Sequence, residues 1–191
     1  QIFWTTNGSV PSPANGRLYT GPILVSNTVC LRAAAFKSNF IASDVDTQTY
    51  LFLSQVLRQP ATMAAYAATW QANYPADYGM DSNVVNHPVY GPSLTNDLRS
   101  IPSLSIVTDH NSLWNTSTGI YVNSTMSGQA WERPGSAELI NQDGSSAFAL
   151  RCAIRMQGNA SRDNVRTPKH SLRLLFKSEY GPSKLSYNWF P

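Results

Sequence analysis

The sequence predicts a mainly β chain: a sandwich-like first part, a short helical connector and a second β-rich (α+β) part. Three observations carry this. Up to Leu53, short apolar or β-branched runs are separated by Gly, Pro and Asn turn signals. After Ser54 the apolar spacing changes to three, four and seven residues, and from Ile101 onward strand-like alternation returns.

The elements follow in order. Ile2 to Thr6 reads as a strand, and Asn7-Gly8 favours a tight hairpin turn because both residues tolerate positive φ. Pro11, Pro13, Asn15 and Gly16 form a loop, after which Gly21-Pro22 introduces a short strand at Ile23-Leu24-Val25. Thr28 to Phe36 alternates Val29, Leu31, Ala33 and Ala35 against Cys30, Arg32, Ala34 and Phe36, and Thr47 to Leu53 supplies one more strand. Ala61 to Asn73 reads as a helix with Pro60 suited to its first turn, and Asp81 to Asn86 as a second, capped by Asp81 or Ser82. Ser93 to Ser100 is polar enough to be a connection.

Strands are then expected at Leu104 to Val107, at Ser136 to Ile140 before the Asp143-Gly144 turn, at Ala149 to Gln157 and at Ser171 to Lys177. Leu150, Cys152, Ile154 and Met156 form one apolar face, with Arg151 and Arg155 opposite. Leu172, Leu174 and Phe176 behave likewise opposite Arg173, Leu175 and Lys177.

Hydrophobic residues are 42% and charged residues only 13% of the 191, against roughly 25% charged in an average soluble domain. The surface must therefore rely on Ser, Thr, Asn and Gln, as in many exported proteins. A net charge of +3 without a basic cluster excludes nucleic acid as the expected partner. No run of 18 apolar residues predicts a membrane span. Cys30 and Cys152 offer no metal spacing, and they either pair in an oxidising compartment or stay as separate buried thiols. The four sequons at Asn7, Asn115, Asn123 and Asn159 carry meaning only in a glycosylating host.

Trp4-Thr5-Thr6-Asn7-Gly8-Ser9-Val10-Pro11, Gly16 to Ile23, Leu31 to Phe36 and Ser43 to Tyr50 keep the order and spacing of a known unit. Residues 2–53 resemble the C-terminal module of chitobiase and β-hexosaminidase. The resemblance implies a small immunoglobulin-like sandwich used as a spacer or accessory module. That family carries strand sequence before the equivalent of Ile2, so a copy truncated at its front is expected.

Ile101 to Val107, Gly119-Ile120-Tyr121, Trp131-Glu132-Arg133-Pro134, Ile154 to Arg162, Pro168 to Lys177 and Tyr180 to Leu185 carry a second likeness. Residues 101–191 resemble the N-terminal part of the CotH family, which includes a spore-coat protein and atypical secreted kinases. This implies a domain that continues past Pro191, with the acids for metal and catalysis in that later portion. A basic half of a nucleotide site is then expected at Ser161, Lys169 and Arg173, where a mobile ammonium and a Gly-containing turn at Gly158 can approach phosphate.

Other chemistries have weaker signals. No Gly-X-Ser-X-Gly nucleophile turn occurs, and Asp109-His110 reads as a turn after a strand. Asp44 and Asp46 lack the rest of a calcium loop, and nothing fixes the separation of Glu132 and Glu138. Trp114 and Trp131, each beside polar residues, are the candidates for glycan stacking.

The expectation is therefore a module at 1–53, a helical or loop connector at 54–100 and a CotH-like part at 101–191. Together they would form a non-catalytic structural or interaction segment of an exported bacterial surface protein, secreted or at the cell surface. Its partners would be other parts of the parent protein, surface proteins or glycans. No cofactor or metal is expected, and Mg-ATP enters only under the kinase-fragment alternative.

Overall fold

The computed structural model describes residues 1–64, 66–70, 74–163, 165–167 and 169–189. Among them, strands dominate and the helices are short, so the fold is mainly β with a short helical connector. The first sheet contains β1 (Ile2–Thr5), β2 (Arg17–Leu18), β3 (Val29–Ala35) and β4 (Asp46–Tyr50) in the antiparallel order β2-β1-β3-β4. Its register puts Phe3 beside Ala34, Thr5 beside Arg32 and Arg32 beside Thr47. These five side chains share one face and are all buried. The face is unusually polar, so it depends on internal hydrogen bonds. Thr5 Oγ1 donates to the Ser9 carbonyl at 2.7 Å, and Arg32 donates to the Gly8 carbonyl at 2.6 Å and to Thr47 Oγ1 at 3.4 Å.

Two local expectations change here. Asn7-Gly8 does not close a tight hairpin: the Asn7 side chain accepts from the amide and hydroxyl of Ser9, while a longer loop leads to β2. Gly8 has φ +79°, and a side chain there would press on the Thr108 carbonyl. Ile23-Leu24-Val25 forms no strand, and Leu24 is 91% exposed. With no neighbouring strand to accept it, that short run has no ladder to join.

The middle of the chain holds α1 (Leu53–Val56), the two-residue strands β5 (Thr69–Trp70) and β6 (Tyr74–Pro75), α2 (Ser82–Val85) and α3 (Leu94–Arg99). The helix expected over Ala61 to Asn73 is absent from the described part of that span: Trp70 is extended and pairs with Tyr74. Ala65 and Gln71 to Asn73 lie outside the described residues. Tertiary packing overrides the helical spacing because Trp70 turns inward, edge-on to Tyr78 at 5.7 Å. α2 forms where expected, with Asp81 accepting from the Asn83 amide at 2.8 Å. Ser93 to Ser100, read as a connection, instead contains α3, whose start is braced by Ser93 Oγ donating to Asp97 at 2.6 Å.

The second sheet follows the alternation closely. β7 (Ser103–Thr108), β8 (Arg133–Ile140), β9 (Ser146–Gln157) and β10 (Ser171–Leu175) pair antiparallel in the order β10-β9-β8-β7, with α4 (His110–Trp114) after β7. Asn141 to Ser145 close the β8–β9 hairpin, with Gly144 at φ +85°. One face carries the core of Ala137, Cys152, Ile154 and Met156, joined by Ile120 and flanked by Ile106, Leu172, Leu174 and Phe176. Gly135 is required in β8 because a Cβ there would lie 2.5 Å from Ile154 Cδ1.

The two large sheets meet along β4, giving the chain its sandwich-like character. Glu138 on β8 is 4% exposed, and its carboxylate accepts from the Thr49 backbone amide at 2.8 Å and from the Gln48 side chain. Thr49 and Ser105 hydroxyls lie 2.7 Å apart, and Arg151 pairs with Asp44 at 2.6 Å. Ser105, Glu138 and Arg151 belong to three successive strands, so the segment from Asp44 through Thr49 of β4 passes across the second sheet.

Removing Glu138 leaves buried donors without an acceptor. Glu138→Ala is expected to cost about 2–3 kcal/mol, read by urea unfolding, and to accelerate hydrogen exchange at the Thr49 amide. Unchanged Thr49 protection would mean that this contact does not hold the sheets together.

Candidate functional site

The basic residues do not converge on one site. Arg173 sits opposite Arg155 in the β9–β10 ladder, on the face away from Leu172 and Leu174. Lys169 lies instead over the Trp70 ring at 5.4 Å, on the side where Trp70 approaches Tyr121. The Ser161 carbonyl meets His170 Nδ1 at 3.1 Å, which holds Ser161 close to the segment that carries Lys169. Pro168 of the same stretch lies outside the described residues.

The sheet face carrying Arg173 also holds a buried ion cluster. Glu132, its side chain 1% exposed, accepts from Lys177 Nζ at 2.7 and 2.8 Å and lies 3.4 Å from Arg155. A bidentate ammonium contact and a guanidinium offset the desolvation of this carboxylate. Glu132 and Glu138 thus have separate structural partners, and Asp44 belongs to an ion pair with Arg151. Asp109 caps α4 by accepting from the Asn111 amide at 2.9 Å, as the turn reading of Asp109-His110 anticipates.

The two candidate tryptophans have different surroundings. Trp131 packs against the core of the second sheet, with the Arg133 guanidinium 5.5 Å from its ring. Trp114 tilts against Tyr121 at 4.7 Å and lines a cavity of about 460 Å³ between the first sheet, the connector and the second sheet. That volume is within the range usual for small-molecule sites.

Each layer contributes to this cleft. β4 and β7 bring Thr49 and Ser105, α4 brings His110 and Trp114, and the connector brings Tyr66 and Tyr78. Tyr66 meets Tyr78 at 5.6 Å and the edge of His110 at 5.8 Å, yet it remains 43% exposed. Tyr78 is fixed by its hydroxyl donating to the Ala67 carbonyl at 2.9 Å. Desolvation raises the Tyr78 phenol above its ordinary value, against a smaller opposing contribution from Trp70, which keeps it a neutral donor. Sequence reading missed Tyr66 and Tyr78 as site residues. Tyr66 sat on a supposed helix face and Tyr78 beside a loop glycine, and no motif links either to Thr49 or Ser105.

Arg32 adds a cation close to the cleft. Burial lowers its pKa, while Asp109 and Cys30 act in the other direction. The two cysteines are free thiols: Cys30 is half-buried, 3.8 Å from Thr49 Oγ1, and Cys152 is fully buried in the second core. Desolvation pushes Cys152 up to about 11.

Residues 1–50 match the family described as Fn3 associated, an association consistent with the chitobiase-like resemblance of the same stretch. No curated protein and no solved structure gives a significant match to the chain.

Two outcomes test this description. Alkylation of the native protein at pH 8 should label Cys30 and spare Cys152 until the chain is unfolded; equal labelling would contradict the packing of the second core. Lys177→Met removes the ammonium that contacts both Glu132 oxygens, leaving the longer Arg155 contact and Tyr180, and is expected to lower stability by about 2 kcal/mol. An unchanged urea midpoint would show that the ion pair contributes nothing net.

Proposed function

We propose that this chain is a non-catalytic structural or interaction segment of an exported bacterial surface protein, acting as an accessory module for the rest of that protein. The observation that carries the reading is the Fn3-associated match over residues 1–50, since such a module extends or positions its neighbours. The way this module is joined adds support. Its β4 is tied to Glu138 and Ser105, and Asp44 just before it to Arg151, so a force or partner acting on one part is transmitted to the other.

The composition supports an exported setting: charge is sparse and the surface leans on hydroxyl and amide side chains. The CotH-like part at 101–191 fits the same architecture as a fused neighbour of the accessory module. Its nucleotide alternative has less support, because Lys169 is engaged over the Trp70 ring while Arg173 lies beside Arg155 in the β9–β10 ladder.

Immunolabelling of intact producing cells, before and after surface proteolysis, tests location; label seen only after permeabilisation would overturn the exported reading. Incubation with radiolabelled ATP, Mg²⁺ and a casein acceptor tests chemistry. The expected result is no phosphate transfer, and transfer abolished by Lys169→Ala would replace the module reading with the kinase one.

A further inference from the structure

We propose that the cleft between the two large sheets is a binding site for a single neutral pyranose ring, presented free or at the end of a glycan. This gives the interaction reading a ligand, and rests on that reading only in expecting binding without turnover.

The chemistry of the walls selects the ligand. Among the described residues lining the cavity there is no Asp, Glu, Lys or Arg, and the nearby Arg32 guanidinium is engaged by the Gly8 carbonyl and Thr47 Oγ1, so the wall offers a ligand mainly neutral polar groups and rings. The rings of Tyr66, Tyr78 and Trp114 offer apolar faces, while Thr49, Ser105 and Asn7 offer hydroxyl and amide groups. A pyranose has the matching division, with an axial C–H face and equatorial hydroxyls. The Thr49 and Ser105 hydroxyls hydrogen-bond each other at 2.7 Å and keep further acceptor capacity for a ligand hydroxyl, which a purely apolar ligand would leave unused.

The aromatic wall is pre-organised. The Tyr78 hydroxyl is held by the Ala67 carbonyl, Tyr78 is braced edge-on by Trp70 at 5.7 Å, and Trp114 is backed by Tyr121. Tyr66 is the exception that marks the entrance: it touches Tyr78 and His110 on its inner side and keeps 43% of its surface exposed. Fixed rings lose little freedom when a ligand stacks on them, which favours binding of a small polar molecule. The site is composite, since the hydroxyl pair spans both sheets, so it exists only while the sheets are docked.

Saturation-transfer NMR and tryptophan fluorescence with methyl α-glucoside, methyl β-glucoside and methyl β-galactoside test the assignment on the whole chain. Glucuronate and indole serve as the acidic and apolar comparisons. At least one methyl pyranoside is expected to bind saturably and to change Trp emission. Tyr66→Ala, at an exposed ring, should weaken it about tenfold, Trp114→Ala should weaken it and remove the emission change, and Tyr90→Ala, outside the cleft, should leave it unchanged. The site is overturned if the folded chain binds none of the three glycosides, if only indole or glucuronate binds, or if binding survives both Tyr66→Ala and Trp114→Ala. Failure here leaves the accessory-module reading standing. Binding accompanied by methanol release would uphold the site and overturn the non-catalytic reading instead.

Discussion

The carboxylate of Glu138 sets how the two large sheets can meet. It is buried in the middle of β8 with no cation bonded to it among the described residues, so its charge is met by hydrogen-bond donors. The donors are the outward amide of Thr49 and the side chain of Gln48, both on the edge strand β4. A free strand edge is an invitation to pair with another chain, and here part of that edge is occupied by an acid from the neighbouring sheet. One contact therefore satisfies a buried charge and covers an exposed ladder. With Asp44 just before the strand on Arg151 and Thr49 on Glu138 and Ser105, the approach of β4 to the second sheet is held at three successive strands.

The remaining charged groups are arranged by the same need. Glu132 draws Lys177 and Arg155 together on the face of the second sheet that also carries Arg151, and Arg32 directs its guanidinium to the Gly8 carbonyl beneath the first. In a chain with so few charges, each buried one without a partner would be costly, and partners are supplied across strands instead of at a common centre. This bears directly on Lys169 and Arg173. Strand alternation sends Arg173 to the face of Arg155, while Lys169 lies before β10 begins and turns over Trp70.

Much of the fold was legible because alternation is a local property. Leu150 to Met156 and Leu172 to Phe176 declared their core faces outright, Asp143-Gly144 its hairpin and Asp81 its cap, since each signal lies within a few residues of its effect. Elements decided by distant partners were not legible. Trp70 lies in a run with helical spacing but is held extended by its pairing with Tyr74 and its packing on Tyr78, and Ile23 to Val25 has strand composition without a strand to join. The candidate site was legible in part through Trp114 and through His110, which reads as a turn residue. Its companions Tyr66, Thr49 and Ser105 come from three regions of the chain, and Glu138, which brings two of those regions together, drew notice only as an acid whose separation from Glu132 nothing in the sequence fixes.

The cleft itself follows from the crossing. Two sheets stacked with aligned strands interdigitate and leave no room between them, whereas the first sheet here is bonded to the second through its edge strand β4. The cavity lies beside Thr49 and Ser105, and the connector lines it with Tyr66, Tyr78 and Met63. Rings close such a gap less completely than aliphatic side chains would, because they are flat and rigid, and those with hydroxyls must also place a polar tip. Tyr78 finds an acceptor in the Ala67 carbonyl, and Tyr66 stays partly in solvent. The aromatic wall and the hydroxyl pair thus face each other as a consequence of how Glu138 holds β4, and any change that alters the docking angle must alter the cleft with it.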